Sequence, residues 1–154
     1  MADKNPIRCA DGSLQWHQNG VPHRSDGPAI IYADGTVAWY KNGECHREEG
    51  PAVIFADDTR KWFRHDKLHR EEGPAVDGPA DGQSWWIDGQ MHREDGPAVI
   101  HPDGSMEWWR NGERLIGDEA ATAEALYRQQ EIERFRTGTE HDVTVSRPIR
   151  LKRP

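Results

Sequence analysis

Five tryptophans stand in register, Trp16, Trp39, Trp62, Trp85 and Trp108, each 23 residues after the one before. His-Arg recurs with the same step at His23, His46, His69 and His92, and Gly-Pro-Ala at Gly27, Gly50, Gly73 and Gly96. A fixed period of this size means that one supersecondary unit is stacked on copies of itself. It also accounts for a composition that suits a globular core poorly. Only 34% of the 154 residues are apolar, and each repeat needs to bury only a thin strip against its neighbours.

Within each unit the parts come in one order: Asp-Gly, Trp followed by a ring, Asn-Gly, His-Arg, an acidic pair, Gly-Pro-Ala and a short apolar run. Asp34-Gly35 and Asp103-Gly104 lie between an apolar segment and a Trp segment, which is a hairpin-turn signal. Pro51 to Phe55 and Thr59 to Arg64 therefore read as paired antiparallel strands joined at Asp57-Asp58. The predicted fold is mainly β, an elongated array of about five stacked antiparallel hairpins over 11–117.

Strand alternation assigns the faces. Val37 and Trp39 would point to one side and Ala38 and Tyr40 to the other. The Trp column is then the structural core, since a buried aromatic removes about 150–250 Å² from water. The Ala38 column, with Gln15, Lys61, Ser84 and Glu107, reads as a wet face. A second ring column, His17, Tyr40, Phe63, Trp86 and Trp109, falls on that same polar side.

The array is uneven. The third unit has His65-Asp66 for Asn-Gly and Asp57-Asp58 for Asp-Gly, which weakens both turns. Asp77 to Asp81 contains Gly78 and Pro79 and reads as a bulge or bend. The fifth unit has Leu115-Ile116 where His-Arg would fall. Residues 1–10 form a lead-in without periodic signal. A capping helix is expected over 118–137, with Asp118 as N-cap and Gly138 as the stop. Its apolar stripe is Ala121, Ala125, Ile132 and Phe135, with Leu126 beside it. Residues 138–154 form a basic tail that is either disordered or carries a short strand at Val143 to Val145.

The stretches WYKNGECHREEGPAVIFADD and WWIDGQMHREDGPAVIHPDG resemble MORN-type repeats, in the variant form of bacterial, phage and large-virus proteins. The resemblance covers Asp11 to Gly117, about two thirds of the chain. It implies stacked antiparallel hairpins and a non-catalytic role as an interaction platform, spacer or dimerisation module. Related bacterial repeat proteins carry an antitoxin label, so the resemblance also admits an inhibitor of a phage or bacterial conflict system. Lipid-headgroup binding is attributed to some members. The His-Arg-acidic-acidic-Gly-Pro-Ala loop departs from the commoner pattern.

Several function classes recede on chemistry alone. A net charge of −7 disfavours nucleic acid and anionic membrane surfaces, and no apolar run reaches the ~20 residues of a membrane span. Cys9 and Cys45 are too few for a disulfide framework, so a reducing cytoplasm is expected. Equivalent histidines should lie roughly 9–10 Å apart, too far to converge on one metal ion. No metal and no cofactor is expected. Gly-x-Ser-x-Gly, a phosphate-binding glycine loop and His-Glu-x-x-His are all absent, which argues against an enzyme.

What remains is a protein partner, met by scaffolding or steric occlusion. The candidate contacts are the ring column His17, Tyr40, Phe63, Trp86 and Trp109, with Arg47, Arg70 and Arg93. The bland alternative for the arginines is a ladder of ion pairs to the acidic residues two positions on. A homodimer through the helix or a sheet end is the rival arrangement.

Overall fold

The computed structural model describes residues 5–138; the basic tail and its strand at Val143 to Val145 lie outside them. The chain is mainly β. Twenty short strands, all paired antiparallel, precede one helix among the described residues, α1 (Gly117–Thr137). Ten of the strands form one long sheet that runs through every unit, and the other ten form five separate two-stranded hairpins.

The division falls at the tryptophan. Val37–Ala38 belongs to the long sheet and Tyr40–Lys41 to a hairpin with Glu44–Cys45, while Trp39 belongs to neither. Its backbone fixes the bend. The N–H of Trp39 donates to the carbonyl of Ala52 at 2.8 Å, and its own carbonyl accepts from the N–H of His46 at 3.1 Å. The same pair of bonds recurs at Trp16, Trp62 and Trp85. Each tryptophan thus ties the Gly-Pro-Ala strand to the His-Arg return.

On the ring side, the following arginine closes the bend. Arg24, Arg47, Arg70 and Arg93 place their guanidinium carbons 4.1, 3.9, 4.0 and 4.0 Å from the ring centroids of Trp16, Trp39, Trp62 and Trp85. Each also donates an Nη1 hydrogen bond to the proline carbonyl of Gly-Pro-Ala. The glycine of that motif lies against the guanidinium, and a Cβ on Gly73 would stand 3.0 Å from Arg70 Cζ. Gly73 and Gly50 also have φ of +111° and +105°, which a side chain would strain. A stacked cation of this kind is worth about 0.5–2 kcal/mol, depending on how far it is desolvated.

Successive units are joined by the histidines. Nδ1 of His23, His46, His69 and His92 accepts the backbone N–H of Asn42, His65, Asp88 and Asn111, at 2.9, 3.3, 3.1 and 3.1 Å. Each bond reaches 19 residues forward, onto the turn of the next hairpin. Those turns need positive φ, and Asn19, Asn42 and Asn111 supply it at 51–54°. In the third unit His65 and Asp66 adopt the same conformation without a glycine, at 49° and 61°. Asp66 stabilises it by accepting the Cys45 N–H on Oδ1 at 2.7 Å. The turn that looked weakened is therefore kept.

Three other expectations change. Because the strand is interrupted at each Trp, the face assignment reverses. Ile30, Ala38, Val76 and Val99 are buried, and the cross-strand register puts them on one face with Gln15, Lys61, Ser84 and Glu107. The supposed wet column is thus interleaved with core residues. The segment Asp77 to Asp81, expected as a bulge or bend, is the end of a strand and a hairpin turn. Val76–Gly78 pairs with Gly82–Ser84 in three consecutive registers, and Pro79 stands in the turn. There Gly78 is required by close approach, since a Cβ would run into the Thr59 side chain. The lead-in is also structured, with Ile7–Arg8 pairing to Leu14–Gln15.

Helix α1 ends at Gly138, in a left-handed conformation, as its sequence predicts. Its N-cap position is Ile116, with no side-chain cap, and Asp118 instead sits in the first turn. The stripe also differs. Leu126, Ile132 and Phe135 are exposed, as are Ala121 and Ala125. The half-buried positions are Ala120, Ala123, Glu124, Tyr127, Glu131 and Arg134, with Tyr127 and Arg134 near Arg93 and Asp95 of the fourth unit.

The sandwich gives a test. Gly73→Ala should destabilise the array by more than about 1 kcal/mol, because it adds a Cβ at positive φ and against Arg70. Gly27→Ala has no positive φ and should cost less. Urea midpoints that move equally for both would contradict the account.

Candidate aromatic binding face

The ring column lies on the same side of the chain as the buried row of the long sheet. Three hydrogen bonds fix this across the bend. His17 Nε2 meets Gln15 Oε1 at 3.1 Å, and Trp86 Nε1 donates to Ser84 Oγ at 2.7 Å. Trp109 Nε1 donates to Glu107 Oε2 at 2.8 Å. That bond, with a second from His101, holds the Glu107 carboxyl below its ordinary range. The rings therefore roof the small core residues beneath them.

Directly opposed residues of an antiparallel pair share a face. Pro22, Cys45, Leu68, Met91 and Arg114 oppose His17, Tyr40, Phe63, Trp86 and Trp109, so the first four hairpins pair each ring with an apolar side chain and the fifth with a cation. All five rings are half-buried. Two further rings join them. Tyr32 and Phe55 continue the strands of Ile30 and Val53 on the same face, and they are 39% and 36% exposed. The Lys61 ammonium sits 5.0 Å from the Phe55 centroid. Sequence reasoning missed both, although each closes its Gly-Pro-Ala-apolar run and each is an aromatic at the same place in the period.

The arginines Arg47, Arg70 and Arg93 belong elsewhere. Their guanidinium groups stack on Trp39, Trp62 and Trp85, the bland reading's structural role in another form. The ion-pair ladder holds in two units, where Arg24 reaches Asp26 at 2.7 Å and Arg93 reaches Asp95 at 2.8 Å. Among the described residues Glu49 and Glu72 make no such pair. The Trp column is likewise not the deepest part. Trp16 is buried and Trp39, Trp62, Trp85 and Trp108 are half-buried, whereas Ala29, Ala52, Ala75 and Ala98 are fully enclosed. Chains approach closest there, so the smallest residue fills the core. Among the described residues no group of three or more His, Cys, Asp or Glu is placed to hold a metal ion, and no helix is long and apolar enough to cross a membrane.

Burial shapes the chemistry of this face. It pushes the Cys45 thiol up to about 12, with the Asp66 carboxylate adding to the effect. It also pushes the Tyr40 hydroxyl up to about 12, with Cys45, Tyr32 and Asp66 beside it. Both groups are held neutral in the folded chain. The stability tied to that neutrality is complete below the ordinary thiol value of 9.0 and is lost as pH rises to about 12. Alkaline unfolding followed by circular dichroism should therefore begin above pH 9, and Cys45→Ala should flatten the slope. An unchanged slope in that variant would count against burial as the cause.

No family model, curated protein or solved structure matches the chain.

Proposed function

We propose that this chain is a non-catalytic repeat module that binds another protein along its aromatic face, acting by scaffolding or by occluding the partner's surface. The observation that carries the reading is the placement of Tyr32, Tyr40, Phe55, Phe63, Trp86 and Trp109 on one side of the array, each open in part to solvent. Aromatic side chains supply large contact area with few rotors to immobilise, and they are enriched where proteins meet. The row is also regular, so an extended or shallow partner surface would meet the same chemistry at each unit. The resemblance to MORN-type repeats points the same way, toward an interaction platform.

An acidic inhibitor or antitoxin is a special case of this reading. The net charge of −7 would then steer the module toward a basic groove.

The test is capture from native host lysate with two sets of variants. Tyr32→Ser with Phe55→Ser alters exposed rings and should leave the unfolding midpoint close to that of the parent while cutting recovery of the partner at least tenfold. Tyr40→Ser, Phe63→Ser and Trp86→Ser together should abolish recovery. Full recovery by the folded double variant would remove the aromatic face from the account.

A further inference from the structure

We propose that the cavity between the second and third units binds a small oxyanion, a phosphate or carboxylate group. Of the aromatic face it shares Phe63. The cavity holds about 280 Å³ and is lined by His46, Arg47, Arg64, His69 and Arg70 and by the carboxylates Glu48 and Glu71, with Trp62 and Phe63 between them. That volume suits a small polar group rather than an extended ligand.

The first argument is the state of His46. The residue is 8% exposed, and its Nδ1 accepts the His65 N–H. The neutral ring must then carry its proton on Nε2, which makes that atom a donor. Nε2 is buried and has no hydrogen-bond partner. The nearest carboxylate oxygen, Glu48 Oε1, stands 3.7 Å away and is held by Lys41 Nζ at 2.8 Å. Elsewhere in the column Nε2 of His23 meets Ser25 and that of His69 meets Glu71, each at 3.4 Å, while that of the more exposed His92 stands 3.9 Å from Glu94. A buried donor without an acceptor is destabilising, so an arriving oxygen is favoured.

The second argument is the neighbouring arginines. In the outer units the Nε of Arg24 and of Arg93 is taken by Asp26 and Asp95. In the middle units Arg47 and Arg70 each donate Nη1 to a proline carbonyl and form no ion pair among the described residues. These are the two arginines that line the cavity. Glycine and tryptophan hold their guanidinium planes in place, so the donors are preorganised. Arg64 adds a third cation, already held by His69 and Glu71. The three arginines share the cavity with the carboxylates Glu48 and Glu71, and Asp77 and Glu72 also act on Arg70. The guanidinium donors of Arg47 and Arg70 beside the unmet Nε2 of His46 favour a ligand rich in acceptors, and an oxyanion is that ligand.

The experiment titrates inorganic phosphate, and separately acetate, into the full chain while the imidazole and guanidinium nitrogens are followed by NMR. Saturable shifts at His46, Arg47 and Arg70, with His23 and His92 unmoved, are expected. Tighter binding of phosphate identifies a phosphoryl ligand, and tighter binding of acetate a carboxylate. His46→Asn keeps an acceptor near the Nδ1 position and removes the Nε2 donor, and it should weaken binding at least tenfold. Arg64→Gln lies outside the stacked pairs and provides a second variant certain to be less disruptive to the bend, with a several-fold loss expected. Silence toward both anions, equal shifts at all four histidines, or unchanged affinity in both variants overturns the proposal.

Discussion

The structure depends on a guanidinium held between an indole and a glycine. Each unit must bend between the long sheet and its own hairpin, and a bend exposes backbone that a straight strand would pair. The arginine fills that corner. Its flat face covers the tryptophan, its Nη1 satisfies a proline carbonyl, and the absence of a side chain on the glycine lets it approach. Lysine has the charge but neither the plane nor the fork, so it would not replace arginine here. Once the corner is fixed, the alanine beneath it is enclosed and the two arms of the unit have a set relation.

The corner is local, and the histidines make it cooperative. A repeat array is only as continuous as its nearest-neighbour interfaces, because no unit touches any but the next. Here each interface combines ladder bonds of the long sheet with one imidazole bond to the following turn. Where the sequence drifts, the backbone holds. Pro79 removes an N–H that Ala56 in the unit before donates to Thr36 Oγ1, yet the strands on either side keep register. His65 and Asp66 hold a turn that elsewhere uses glycine.

Much of this architecture was legible in the residues. The period, the hairpin turns and the stop at Gly138 follow from spacing and from backbone chemistry that few residues can supply. The faces were not, because alternation presumes an unbroken strand and the interruption falls on the very residue used to count. Histidine was weighed as a metal ligand by the distance between identical atoms. Its actual bond runs to a backbone N–H in another unit, and nothing in the local sequence marks that. Size ranks tryptophan as the better core residue, whereas close approach of chains ranks alanine first. Tyr32 and Phe55 were within reach, since both occupy the same position in the period.

The imidazole bonds all run one way. Through Nδ1, His23, His46, His69 and His92 each serve the unit that follows. The array therefore has a polarity like that of a growing polymer, with an accepting end and a donating end. At the position where a fifth histidine would stand there is Leu115, whose N–H still bonds to the Trp108 carbonyl but whose side chain offers no acceptor. A sixth unit placed there would lack the imidazole bond to its turn. Leucine at that one position works as a chain terminator, and α1 begins two residues later, where another repeat would otherwise have followed.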